Sequence, residues 1–428
     1  MRGENFSREQ YRVLAILALV NFVNYVDRQI LFPLFPFIRR DFGLTFFELG
    51  WLATAFTIVL SVGSLPLGML ADRISRKKVI SVGVVFWSFA TFLSGIAPSF
   101  RFLLGARALV GVGEAAYAPA GTAIISATFP QRVRARVQAI FDTGMFIGGA
   151  VGIALGGIMA QWLGWRAAFF LVGIPGLVLG LLALTLPGNS VADKAEAHEG
   201  IAISYLLRRK PYVLVLISGW FSAFAGYSYI AWGPEFVQDY LHFTSREAGV
   251  MLGAVVILAG MGGVLTGATL ADYLARRVSA GRAMTVPIGF LISVPFIYSG
   301  LHATSKLHFM IFFGIGTFFL TWYHGPVTAT IHDLIPARGH ATALGFYSLF
   351  VNLFSMALAP IVIGRIADEK NLLSALHVSV VAQILGALLF VLAILAIKAE
   401  NRLISGVGPE TLNQAMQPRD ETEATSNV

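Results

Sequence analysis

Two short stretches hold the side chains that could do chemistry. NYVDRQILFPLF, residues 24–35, places Asp27 and Arg28 side by side inside an apolar run. RFLLGARALVGVGEAAYAPAG, residues 101–121, contains Arg107 and Glu114 seven positions apart. In a helix that spacing is close to two turns, so the two share a face. Arginine keeps its proton in a protein and can hold an anionic headgroup as a fixed charge. A carboxylate withdrawn from water can exchange a proton near neutral pH. Asp27 and Glu114 are therefore the expected proton-coupling residues, with Arg28 and Arg107 holding a carboxylate or phosphate. When that anion leaves, a carboxylate can replace it at the arginine, which would couple proton to substrate. The alternative is a set of buried pairs that only fixes helix packing.

These residues need elements that keep them out of lipid. The chain has 428 residues, 56% hydrophobic and 13% charged, against about 25% charged in soluble domains. Long apolar windows recur along it and predict twelve membrane helices. They cover roughly 12–36, 48–71, 79–98, 102–126, 137–161, 166–187, 211–235, 247–271, 283–301, 307–331, 341–364 and 372–397. From Arg12 to Asp27 is about 22 Å of helix, well inside an apolar layer about 30 Å thick. An ion facing lipid there costs about 2.5–3.5 kcal/mol or more, so the four side chains must face a bundle interior or a wet cavity. Arg107 is expected level with Asp27 and Arg28, and Glu114 deeper.

Most of the 31 lysines and arginines fall in the termini and the connections on their side. That bias predicts cytoplasmic termini and a multi-pass protein of the inner (plasma) membrane. It also accounts for the net charge of +8, and a nucleic-acid partner is not expected. The first apolar run is too long for a cleavable signal peptide. The chain has no cysteine, which excludes disulfides and thiolate metal sites. Its eight histidines are scattered, with no HExxH or nucleophile cluster inside a span. Neither a cofactor, a metal nor an enzymatic activity is therefore expected.

The longest polar interruption, around NSVADKAEAHEG, separates six helices from six. The expected organisation is a six-helix bundle over 1–187, a cytoplasmic linker over 188–210, a second bundle over 211–400 and a disordered tail over 401–428. LADRISRKK after the second helix is echoed by LADYLARR after the eighth, with Asp72 and Asp272 at equivalent places. Such duplication is common in secondary transporters, whose substrate site lies between the halves.

Gly68, Leu70, Ala71, Asp72, Arg73, Arg76 and Lys77 resemble the signature of the major facilitator superfamily, with Ser75 where a glycine is usual. NYVDR together with RALVGVGEAAYAP more specifically resembles the spinster branch, through Asn24, Tyr25, Asp27, Arg28, Arg107, Gly111, Gly113, Glu114, Ala115 and Tyr117. The resemblance implies two pseudo-symmetric six-helix bundles working by alternating access. It further implies a lysophospholipid or sphingosine-phosphate-like substrate and proton coupling through the Asp and Glu. A neighbouring branch, the anion–cation symporters for hexuronate-like acids, shares the Asn-Tyr-x-Asp-Arg run and a Glu in the fourth helix. A sugar acid is therefore the competing substrate class.

Charge does not recur near mid-span in helices seven to twelve. Aromatic and weakly polar groups stand there instead: Tyr227, Trp232, Trp322, His324, Tyr347 and Asn352. With Tyr25, Tyr117 and the two arginines they form the expected substrate wall, charged on one side and aromatic on the other, which suits a headgroup with a tail. The expected gating set is Gly68, Asp72, Arg73, Arg76, Lys77, Asp142, Asp272 and Arg276, with Asp142 pairing Arg134 or Arg136 or simply meeting solvent. GMFIGGAVGIALGG in the fifth helix should let neighbours approach closely. The expected partners are the substrate, protons and membrane lipids, with the chain as a monomer.

Overall fold

The structure, a computed structural model, describes residues 6–115, 117–187 and 201–406. It is all-helical among these residues, and twelve helices are long and apolar enough to cross a membrane. They are Arg8–Phe42, Phe46–Ser64, Arg76–Gly95, Phe100–Thr128, Gln131–Trp162, Trp165–Thr185, Lys210–Leu241, Ser245–Ala275, Gly281–Leu301, Lys306–Leu334, Ala337–Glu369 and Leu372–Arg402; they are called spans one to twelve below. The second helix itself continues to Arg73. Twelve crossings would bring the start of span one and the end of span twelve to the same face.

Local chemistry sets the ends and breaks. Ser7 and Gln10 form a capping box at the start of span one, and Thr244 and Glu247 form one at span eight, satisfying amides that have no intrahelical partner. Span one is not one continuous α-helix, as its apolar run suggests. It is α-helical over Arg8–Ile30, 3-10 over Phe32–Leu34, and α-helical again over Phe35–Phe42. Pro33 and Pro36 lie at this break, where neither can donate to the preceding turn. The expected disordered tail is also corrected in part, because helix Leu372–Gly406 passes its proposed start. Glu400 on that extension pairs with Arg209. Residues 407–428 and linker residues 188–200 lie outside the described residues.

Span five holds span one in place. A Cβ at Gly152 would approach Val26 O to 2.6 Å, and one at Gly156 would approach Ile30 O to 2.7 Å. Only hydrogen at these positions lets the two backbones lie this close, and the contact fixes the turn that bears Asp27 and Arg28.

The first six spans meet the last six chiefly at the end away from the termini. Span two lies on span eleven there: a Cβ at Gly50 would reach Pro360 O at 2.6 Å. Thr54 Oγ1 donates to Ala357 O at 2.6 Å. The carboxylate of Asp368 accepts from the amides of Phe46 and Phe47 at 2.8 and 2.9 Å. Span five meets span eight where a Cβ at Gly249 would approach Ile153 O to 2.7 Å. Toward the termini the contact lapses: a Cβ at Gly68 or Gly345 would meet nothing within 4 Å.

Candidate functional site

Spans one, three and four bring the sequence-identified ions together as two crossed pairs. Arg107 Nη1 donates to Asp27 Oδ1 at 2.8 Å, and its Nη2 reaches the Asp27 backbone oxygen at 3.4 Å. Thr91 of span three donates its hydroxyl to Asp27 Oδ2. Asp27 and Arg107 are fully enclosed, and both carboxylate oxygens have partners. Arg28 Nε donates to Glu114 Oε2 at 2.6 Å. The Arg28 side chain remains 24% exposed while that of Glu114 is fully covered. The other Glu114 oxygen, Oε1, has no hydrogen-bond partner. The Phe56 ring lies between the pairs, 5.5 Å from the Arg28 guanidinium and 5.8 Å from that of Arg107. The Tyr25 ring also faces Arg28, at 5.0 Å, so aromatic faces support both cations.

A cavity of about 590 Å³ lies between the two sets of six spans, within the range of ligand sites. Arg28, Tyr25 and Gln29 reach it from span one; Tyr227, His324, Tyr347 and Asn352 reach it from spans seven, ten and eleven. Arg28 is the one Asp, Glu, Lys or Arg among the described lining residues. The rest of the wall is largely aliphatic and aromatic. Two π-helical segments, Val256–Met261 and Asn352–Met356, flank it in spans eight and eleven. Such wider turns redirect a helix and leave carbonyls for other donors. Thr321 Oγ1 reaches Gly260 O at 3.2 Å, and Trp220 Nε1 donates to Phe354 O.

Several expected substrate contacts lie elsewhere. Arg107 is behind the cavity wall, occupied by Asp27. Tyr117 is buried against Trp87 and donates to Leu17 O at 2.8 Å. Trp232 is buried against Phe35 and Phe46 at the sealed end. Trp322 packs on the backbone near Gly267 and Gly289. Helical periodicity shows that these rings are inward but not whether a cavity or a neighbouring helix receives them.

The described members of the expected gating set make their contacts within one half. Arg76 Nη1 reaches Ala123 O at 3.5 Å within the first half, and Lys77 is half-buried beside it in sequence. Asp272 meets Arg282 at 3.7 Å within the second half, and Arg276 is exposed. Asp142 accepts from Gln138 at 3.0 Å on its own helix, in place of Arg134 or Arg136. The side chains of Asp72 and Arg73 lie outside the described residues.

Sequence reasoning missed Thr91, Phe56 and Glu235. A threonine or phenylalanine in an apolar run gives no signal by itself. Glu235 did offer one: WGPEFV continues the apolar run past it, so a span ended there was ended too early. Span seven runs to Leu241, and Glu235 is fully buried.

The model described as Major Facilitator Superfamily matches residues 17–360. Protein spinster of Drosophila melanogaster is 28% identical over 387 residues, covering 86% of this chain but only 63% of that protein's length. The sphingosine-1-phosphate transporter of Xenopus tropicalis is 28% identical, covering 86% of this chain and 75% of its own. A probable L-galactonate transporter of Escherichia coli is 25% identical, covering 86% of both chains. Among solved structures, a bacterial homolog of the human lysosomal transporter Spinster, in an inward-facing and unoccupied conformation, superposes with a TM-score of 0.84. It is 23% identical and covers 92% of this chain and 99% of its own. The expected resemblance is thus borne out, alongside carriers of sugar acids.

Proposed function

Because the chain belongs to the Major Facilitator Superfamily and is a transporter of the spinster type, we propose that it moves an amphiphilic anion by proton-coupled alternating access. The observation that carries this reading is the position of Arg28, which reaches the cavity yet is held by Glu114 at 2.6 Å. An anionic headgroup entering the cavity competes with Glu114 for the guanidinium. The displaced carboxylate, with one oxygen already unpartnered, then takes a proton. Anion and proton load together. The Asp27–Arg107 pair has no access to the cavity and keeps spans one and four in register while this exchange occurs.

The cavity supports an amphiphile through its charge and its wall. One cation matches one headgroup, and the apolar surface facing it suits a tail; a lysophospholipid or sphingosine-phosphate-like lipid has both. A small sugar acid is the second reading, favoured by Gln29 and Asn352 in the wall and by galactonate and glucarate transporters among the relatives. The Lys and Arg bias puts the termini in the cytoplasm; the sealed end is then the outer one, and the conformation faces inward.

Uptake into proteoliposomes under an imposed pH gradient tests the coupling. Gradient-driven uptake is expected to be lost in Glu114→Gln, while exchange without a gradient persists. Full gradient-driven uptake by Glu114→Gln would refute it. A thermal-shift comparison of lysolipids with sugar acids tests the substrate class, and stabilisation by sugar acids alone would establish the second reading.

A further inference from the structure

One short helix takes no part in the cavity. Ile203–Arg208 lies immediately before span seven, and Arg209, with φ −84° and ψ 101°, turns the chain from it into Lys210 and that span. The helix is fastened to the second half at three points. Leu206 is fully buried. Ile201, just ahead of the helix, packs so closely on Gly339 that a Cβ there would collide with its Cδ1. Arg209 Nη2 pairs with Glu400 on the extension of span twelve, and Arg209 Nη1 reaches the Tyr205 hydroxyl at 3.4 Å.

The opposite chemistry is left outward. Ile203 and Leu207 are 46% and 49% exposed, and a spacing of four puts them on one flank of the helix. Arg208 and Lys210 follow directly, and both are exposed. Residues 201–210 contain no Asp or Glu, and Glu400 is already occupied by Arg209. Because the helix ends two residues before a membrane span begins, it sits at the level where hydrocarbon gives way to headgroups.

We propose that this flank binds an anionic phospholipid of the adjoining leaflet, with an acyl chain against Ile203 and Leu207 and the headgroup phosphate at Arg208 and Lys210. An interfacial helix gains by burying apolar side chains at the acyl boundary while neighbouring cations meet headgroups. The long stems of Arg and Lys let their charges reach the phosphates while the helix stays at the boundary. A zwitterionic headgroup brings a cation of its own, which opposes the two already present; an anionic one does not. The clamps at Ile201, Leu206 and Arg209 hold the flank in place before lipid arrives, so little ordering is needed on binding. This site lies outside the cavity, and its occupancy does not depend on what the cavity carries.

The absence of native cysteine permits a direct test. Ile203→Cys is labelled with bimane and the protein is reconstituted into phosphatidylcholine–phosphatidylglycerol vesicles in which one lipid or the other carries brominated acyl chains. Brominated phosphatidylglycerol is expected to reach half-quenching at about a threefold lower mole fraction than brominated phosphatidylcholine, as two cations near a headgroup should select. Adding Arg208→Gln and Lys210→Gln is expected to abolish that preference while both lipids still quench. Raised salt should weaken the preference in the parent. A label at Leu388→Cys, an exposed position in the middle of span twelve, should be quenched alike by both and reports the bulk bilayer. Equal quenching at Ile203→Cys overturns the site, since the contact would then ignore charge. No quenching by either lipid also overturns it, because water or the acidic segment bearing Asp193, Glu196 and Glu199 would then cover the flank. A preference that survives the double substitution removes Arg208 and Lys210 as its cause and overturns the assignment.

Discussion

The two ion pairs differ in burial, and that difference predicts how the protein responds to losing each carboxylate. Asp27→Asn leaves Arg107, whose side chain is 1% exposed, as a buried cation with no counter-charge. Removing one partner of a buried pair typically costs about 3–5 kcal/mol. Glu114→Gln leaves Arg28, whose side chain is 24% exposed, so cavity water can solvate the guanidinium and the amide oxygen can still accept from it. The loss there reduces to a charge-assisted hydrogen bond exchanged for a neutral one, about 1–2 kcal/mol. Purified variants heated at one rate in one detergent, and scored by the fraction remaining monodisperse, should show at least twice the loss of midpoint temperature for Asp27→Asn. Asp27→Leu combined with Arg107→Met should recover most of that loss, because a buried pair replaced by apolar groups of similar size is often neutral. Equal losses for Asp27→Asn and Glu114→Gln would refute the reasoning, since solvent access to Arg28 would then have no energetic meaning. A double variant no better than Asp27→Asn would show that the loss comes from packing rather than from a stranded charge.

Further outcomes follow from individual contacts. Thr91→Val removes the hydroxyl that Asp27 Oδ2 accepts and should cost about 1.5–3 kcal/mol, while Thr91→Ser should keep most of it; the same heating assay distinguishes them. Arg28→Lys keeps the charge but loses the planar contact with Tyr25 and Phe56, so transport should show a KM raised about tenfold, with a smaller change in maximal rate. Gly50→Ala would press a methyl against Pro360 O at 2.6 Å, and labelling of a single cysteine at the sealed end should increase, whereas Gly68→Ala should leave it unchanged. Asp368→Ala removes the acceptor for the Phe46 and Phe47 amides, worth about 1 kcal/mol, and should raise the same labelling about fivefold.

Much of the arrangement was legible because intramembrane charge is so restricted. Asp27, Arg28, Arg107 and Glu114 could only converge inside the bundle, and helical rise placed Arg107 level with Asp27, where the structure shows a 2.8 Å contact. Which of them reaches the cavity was not legible. That depends on the Phe56 ring and on how closely Gly152 and Gly156 draw span five onto span one, both products of tertiary packing. The aromatic wall divided for the same reason: Tyr227 and Tyr347 face the cavity, while Tyr117 and Trp322 face other helices. Glu235 was lost to a boundary error of a few residues, the scale on which span ends read from hydropathy are least secure. The break in span one was implied by LFPLFP, but an apolar run counted as a whole hides a change in helix type inside it.

Arg28, the one cation among the described cavity-lining residues, also constrains how empty and loaded forms can reorient. An unpaired Arg28 would burden an empty cavity with one net charge when its walls close, and closure into a low-dielectric interior makes such a charge costly. With Glu114 on Arg28, the empty cavity is neutral and can close without substrate. Binding an anion reverses the problem. If Glu114 stayed ionised beside the bound headgroup, the site would hold two negative charges against one accessible positive charge, because Arg107 is already committed to Asp27. In the proposed mechanism, protonation of Glu114 would restore neutrality as the anion takes its place. The proposed coupling would then need no separate machinery: the proton would permit a loaded cavity to close, and the buried Asp27–Arg107 pair would keep the second arginine unavailable. A variant that freed Arg107 to the cavity would supply the missing charge and should transport without a proton.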